Sequence, residues 1–230
     1  FIGRYVLEPI WLRGYRDVVT VTLSDSSKKS LESYGLTRVV VVPVGFRSSG
    51  ERPNVPRESS PTVIFVGRLS ANKRPEDAIQ AFALLRETMP TAVLWVVGSG
   101  PMEDELRLSA SDGVQFLGKI SEREKIERLS RAHVLILTSV REGWGLVVTE
   151  AAAVGTPAVA YDVAGLTDSV RASNGVLTAP DPEHLCAALQ EFLGSWFYDG
   201  LPQISPGGVT PWSEVAEHIL TVALDLASLD

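Results

Sequence analysis

The chain has 230 residues, of which 45% are hydrophobic and 21% charged, and it carries a formal net charge of −7. That balance belongs to a folded protein, long enough for one ordinary domain plus extra elements. The negative charge disfavours general nucleic-acid binding or docking on anionic lipid, and the single cysteine, Cys186, excludes an intrachain disulfide framework and a multi-cysteine zinc site. No apolar run approaches the ~18 residues of a membrane helix. No signal-peptide core follows Phe1, so the expectation is a cytoplasmic protein or a part of one.

In chain order, residues 18–22 (Val-Val-Thr-Val-Thr) read as a strand, residues 24–34 as a capped helix ending at Gly35, and residues 38–42 as a second strand. Residues 48–61 are polar, hold three prolines and show no apolar period, which marks a linker. From Thr62 onward short apolar runs alternate with amphipathic ones. The runs at 63–66, 93–97, 134–137 and 158–160 are rich in β-branched residues and suit strands buried on both faces of a parallel sheet. Residues 76–87 carry Ala78, Ile79, Ala81, Phe82, Leu84 and Leu85 on one broad helical face, and Ser121 with Glu124 forms a capping-box pattern. This alternation predicts a doubly wound α/β domain. Cys186 falls in a helical pattern that predicts a buried, inert thiol. Residues 194–211 read as a loose Gly/Pro-rich stretch before a last helix bearing Trp212, Val215, Ile219, Leu220 and Leu224.

Chemistry concentrates in residues 141–157. From Gly145 the segment reads as a helix apolar nearly all round, with Glu150 in its middle. A carboxylate in such a setting must meet a polar partner: a core arginine, backbone amides or a ligand. Glu142 precedes the helix beside Gly143 and Gly145, either as an exposed loop carboxylate or as a ligand contact. The outward amides of Gly145, Leu146 and Val147 would form an anion site at the carboxyl edge of the sheet. After the first strand of the domain come Arg68 and Lys73, a guanidinium fork and a point charge suited to a diphosphate or, alternatively, ordinary loop charges; Arg74 is assigned to the surface. Gly98-Ser99-Gly100-Pro101 is a weak loop signal alone. Glu103, Asp104 and Glu105 fit a first helical turn, and His133, His184 and His218 lack ligand spacing, so no metal is expected.

Glu142 and Glu150 behind a Gly-rich turn, Gly67-Arg68 with Lys73, Gly98-Ser99-Gly100-Pro101 and residues 114–118 (Val-Gln-Phe-Leu-Gly) occur in an order and spacing that resembles the C-terminal domain of family 4 (group 1) retaining glycosyltransferases. The likeness spans about residues 17–193. It implies a GT-B type α/β fold: a Rossmann-like doubly wound parallel sheet with a remnant of a second Rossmann-like domain. It divides the chain into the end of an acceptor domain (1–47), a linker (48–61), a donor-binding domain (62–194), and a loop with a terminal helix crossing toward the acceptor domain (195–230). The turn at Val44-Gly45-Phe46-Arg47 departs from the Asn-Gly-Val-Asp common in the family.

By this resemblance the ligand is a nucleoside-diphosphate sugar, used as substrate with no cofactor and no metal. Glu142 would bind the transferred sugar, in a pocket shaped by Gly143 and Trp144. The amides of Gly145, Leu146 and Val147 would meet sugar or phosphate oxygens. Glu150 would accept from the ribose hydroxyls, Arg68 and Lys73 would hold the diphosphate, and Val97, Leu117 and Ile120 would line the base. The expected activity is retaining transfer of a hexose to a hydroxyl acceptor. The acceptor domain would be supplied in cis or by a separate chain, and any membrane contact would come through it. The rival expectation is a noncatalytic nucleotide-sugar-binding subunit. A two-carboxylate hydrolase needs its carboxylates about 5–9.5 Å apart, whereas eight helical residues span ~12 Å.

Overall fold

The computed structural model describes residues 8–45, 54–199, 204, 207 and 209–227. The first stretch contains α1 (Glu8–Arg13), β1 (Thr20–Thr22), α2 (Asp25–Ser33), β2 (Val39–Val41) and β3 (Val44–Gly45). Then follow β4 (Thr62–Val66), α3 (Pro75–Thr88), β5 (Val93–Val97), α4 (Glu103–Ser109), β6 (Val114–Gly118), α5 (Glu122–Arg131) and β7 (Val134–Leu137). The remainder holds α6 (Leu146–Ala153), β8 (Ala158–Tyr161), α7 (Leu166–Ala172), β9 (Val176–Thr178), α8 (Pro182–Asp199), β10 (Val209–Thr210) and α9 (Trp212–Ala227).

Six strands form one parallel sheet in the order β6-β5-β4-β7-β8-β9. Successive residues of each strand serve opposite faces. Val63, Phe65, Leu94, Val96, Ile136 and Val159 join the Ala78, Phe82 and Leu85 stripe of α3 and Leu185, Leu189 and Leu193 of α8. Ile64, Trp95, Val97, Leu135 and Ala160 join Leu129 of α5, Val148 of α6 and Leu166 of α7. Both faces are thereby covered, which is why these strands read as continuous apolar runs. Each large side chain fully buried here contributes about 1.5–3 kcal/mol. The strand order reverses between β4 and β7, and the crevice beyond their carboxyl ends is where such sheets bind ligands.

The first stretch is a small β-α-β unit of its own, with β1 and β2 parallel and α2 between them. Ser24 caps α2 by accepting from the amide of Ser27. Near the far end, β10 pairs in parallel with β3, and the ring of Trp212 at the start of α9 lies against Gly45. Of the turn at residues 44–47, Phe46 and Arg47 fall outside the described residues, as do 48–53 of the linker; residues 54–61 form no helix or strand.

One expectation is corrected. The loose stretch does not begin at Gly194, because α8 continues through it to Asp199. A glycine inside a helix costs about 1 kcal/mol, and the burial of Leu185, Leu189 and Leu193 on the same helix outweighs it.

Candidate functional site

Two loops at the switch point face each other and are tied by hydrogen bonds. The loop after β4 holds Arg68 and Lys73, and the loop after β7 holds Glu142. Thr138 Oγ1 donates to the carbonyls of Lys73 and Arg74 at 2.8 Å, and the amide of Val140 donates to the carbonyl of Asn72 at 2.9 Å. Glu142 is held from three sides. Its amide donates to Ala164 O at 2.9 Å, and its Oε1 accepts from Ser139 Oγ at 2.8 Å and from the ammonium of Lys73. The Glu142 side chain is 16% exposed and that of Lys73 27%, so the pair is only partly screened by solvent.

The resemblance assigned Lys73 to diphosphate and Glu142 to sugar, and the structure brings the two together as an ion pair. Glu142 is therefore not an exposed loop carboxylate. Arg68 is exposed, and its guanidinium has no side-chain partner among the described residues. It lines a cleft of about 630 Å³ with Val97, Gly98, Ser99, Ile120 and Lys125, at the carboxyl ends of β4, β5 and β6.

Gly98 explains why the loops beside this cleft fit together. Its φ is +130°, and a Cβ there would lie 1.9 Å from the carbonyl oxygen of Gly67. The Gly98 signal is thus first a requirement of loop packing. Gly145, with φ +81°, precedes the first residue of α6 in a left-handed conformation that any other residue type would find strained. The amides of Gly145, Leu146 and Val147 donate to no group among the described residues, whereas Val148 N donates back to Gly145 O at 2.8 Å. Those three amides stand at the positive end of α6, an arrangement that suits an anion.

Glu150 is less buried than the pattern predicts, with its side chain 21% exposed. Its polar partner is neither an arginine nor a backbone amide but Lys125 of α5, with Nζ 2.9 Å from Oε2. Lys125 also meets Glu122 Oε2 at 2.7 Å and is itself 15% exposed. Burial pulls its pKa down, but hydrogen bonds to Glu122 and Glu150 more than offset that and raise it.

The remaining expected site residues divide. Val97 and Ile120 line the cleft, and Leu117 packs under it against the core. Leu146 is 48% exposed beside the α6 amides, Val147 is half-buried, and Gly143 is exposed beside Glu142. Trp144 turns inward: it is 7% exposed and donates from Nε1 to Thr149 Oγ1 at 3.0 Å, so its ring braces the start of α6.

Three features of the site lie outside the sequence expectations. Lys125 shares a helical stripe with buried Leu129 and Ala132, and a lysine on a core-facing stripe was the visible signal. Arg74 is not simply a surface residue. It pairs with Oδ2 of Asp77 at 2.8 Å, the same oxygen accepts from Tyr161 OH at 2.7 Å, and Asp77 is buried. Third, α2 touches the site. Ser27 Oγ donates to Glu142 O at 3.2 Å, and Ser26 donates from its amide to Asp168 Oδ2 at 3.1 Å. A second cleft of about 570 Å³, lined by Ser27, Tyr34, Asn72, Arg141 and Gly143 among others, lies between α2 and the Glu142 turn.

This combination, a doubly wound sheet with cations and free helix amides beyond the carboxyl ends of its strands, makes a candidate anion site at the edge where such sheets take ligands. The family model described as glycosyl transferases group 1 matches residues 47–198. The chain belongs to that family. It is 37% identical over 145 residues to a glycogen synthase of Mycobacterium tuberculosis, covering 60% of this chain but 35% of that protein. Among solved structures, sucrose-phosphate synthase from Thermosynechococcus elongatus aligns with a TM-score of 0.76 at 22% identity, covering 96% of this chain and 61% of that one. The Anabaena protein HepE in complex with UDP-glucose aligns at 0.72 and 20%, covering 96% of this chain and 68% of that one. These likenesses establish the GT-B fold. The chain spans about a third of the length of the glycogen synthase it resembles.

Proposed function

We propose that this chain is the donor-binding part of a retaining glycosyltransferase that moves a hexose from a nucleoside-diphosphate sugar to a hydroxyl acceptor. One observation carries the reading: the cleft beyond the carboxyl ends of β4, β5 and β6 brings the Arg68 guanidinium, which has no side-chain partner among the described residues, into one site with Lys125, the ammonium that holds Glu150. Arg68 and the α6 amides meet the diphosphate, and Glu150 accepts from the ribose. Val97 and Ile120 flank the base. Glu142 receives sugar hydroxyls, with Lys73 bridging it toward the diphosphate, since an ammonium has three donors and Glu142 takes one. An acceptor domain, in cis or on another chain, completes the enzyme.

The chemistry follows from these placements. The bond between the anomeric carbon and the diphosphate oxygen breaks, and negative charge grows on the departing diphosphate. Arg68, Lys73 and the amides are fixed where that charge appears, so they stabilise the transition state more than the ground state. The acceptor oxygen forms the new bond on the same face and passes its proton to the leaving diphosphate. Protein cations and amides carry the leaving-group charge, which makes the proposal metal-independent. Support comes from the family membership and from the UDP-glucose complex of HepE, whose fold this chain shares.

Calorimetric titration of the chain with UDP-, GDP- and ADP-sugars tests the reading. One of the three is expected to bind in the micromolar range, and Glu150→Gln to weaken it by roughly tenfold, the loss of a hydrogen bond to a charged acceptor. Absence of binding by all three, or an unchanged affinity in Glu150→Gln, would overturn it.

A further inference from the structure

Lys125 holds Glu150 and is the most enclosed ammonium beside the cleft. It extends from a helix whose capping box fixes the first turn, with Ser121 Oγ accepting from Glu124 N and Glu124 Oε2 accepting from Ser121 N. Leu129 and Ala132, on the same stripe, are fully buried and pin α5 to the core. The lysine is therefore delivered by a rigid element. Its ammonium lies 2.9 Å from Glu150 Oε2 and 2.7 Å from Glu122 Oε2, yet the two carboxylates differ greatly. Glu122 is 84% exposed and well solvated; Glu150 is 21% exposed and belongs to a helix whose Val148, Ala151 and Ala152 are buried. Of the two, Glu150 is the one shielded from water, so it is the carboxylate that the ammonium fixes in place. Oε1 of Glu150 accepts no hydrogen bond among the described residues, and Lys125 itself lines the cleft.

We infer that Lys125 is a positioning residue for nucleoside recognition: it holds Oε2 of Glu150 and so presents Oε1 in one orientation to the vicinal hydroxyls of a ribose. The inference rests on the nucleoside-diphosphate reading above. It predicts discrimination between ribose and 2′-deoxyribose that depends on Lys125 as well as on Glu150. A lysine that merely stabilised α5 against α6 would, when lost, weaken both kinds of nucleotide alike.

The test is calorimetric titration of the chain with UDP and GDP and with their 2′-deoxy counterparts. The wild-type chain is expected to favour the ribonucleotide roughly tenfold or more, the range of one hydrogen bond to a charged group. Lys125→Met should bring the ratio of the two affinities to within about twofold of one, by the loss of that same bond. Lys125→Arg, which keeps the charge, should restore most of the ratio. If Lys125→Met does not fold, Lys125→Gln carries the same expectation.

A ratio retained in Lys125→Met or Lys125→Gln and lost in Glu150→Gln would overturn the role of Lys125 and leave the ribose reading standing. Failure of Lys125→Arg to restore the ratio would also overturn it. No discrimination in the wild-type chain, or discrimination that survives Glu150→Gln, would remove the ribose reading and this inference with it.

Discussion

Glu142 and Lys73 meet each other in the fold, and this shapes what a substitution does. Removing the carboxylate leaves the Lys73 ammonium free to turn to phosphate, so Glu142→Ala is expected to leave the affinity for a free nucleoside diphosphate unchanged or slightly tighter. The same variant should lose discrimination among donor sugars and lower kcat/KM of the complete enzyme by roughly ten- to a hundredfold. Titrations with the nucleotide and with several nucleotide sugars separate the two effects. Equal weakening of both ligands would show that Glu142 acts through the loop instead.

His133 offers a prediction outside the site. It is 5% exposed, and its Nδ1 accepts from the amide of Thr62 at 3.1 Å, so it is held neutral. Burial lowers its pKa from 6.5 to about 4, with Arg57 adding to the effect and Glu58 opposing it. The unfolded chain binds this proton near 6.5 and the folded chain only near 4, so stability falls as pH falls through that window. Between pH 7 and 5 the loss should be about 2 kcal/mol, read as a lower urea midpoint. His133→Gln should flatten that dependence; an equally steep dependence in the variant would refute the assignment.

Lone charges were the hardest features to read from sequence. Glu150 was legible because a carboxylate in an apolar helix demands a partner, but the partner lies 25 positions earlier in the chain on another helix, and no local pattern names it. The resemblance gives Trp144 a part in shaping the sugar pocket, and its indole turns inward to donate to Thr149 Oγ1, a contact that no local pattern names.

Among elements, β4, β5, β7 and β8 were legible because burial on both faces leaves continuous apolar runs, and the start of α5 because capping leaves Ser121 and Glu124 in register; the half-buried edge strands β6 and β9 leave no such run. The end of α8 was not, since the penalty of Gly194 is local and the packing that outweighs it is tertiary. The glycines after β5 belong to this scale too, because they allow two loops to touch. Gly98→Ala would force a Cβ into the carbonyl of Gly67. It is expected to cost about 2–4 kcal/mol in denaturant unfolding and to weaken nucleotide binding, because Arg68 stands on the displaced loop. A variant as stable as the wild type would show that the loops can separate at little cost.

The whole chain combines a complete six-stranded domain with a short β-α-β unit. The two are joined through the pairing of β10 with β3 and the Ser26 and Ser27 contacts with the site loops. Alternation of strands and helices made the large domain legible. The contacts of α2 with Glu142 and Asp168 were not, because serines on a short amphipathic helix carry no sign of a partner more than a hundred residues away. At this scale one placement is central, a nucleoside diphosphate in the cleft beyond the carboxyl ends of β4, β5 and β6. A crystal structure of the chain with a bound nucleoside diphosphate tests it most directly. The account predicts the diphosphate against Arg68 and the amides of Gly145–Val147, with the ribose hydroxyls on Glu150 Oε1. A nucleotide bound elsewhere, or a cleft left empty at saturating concentration, would contradict it.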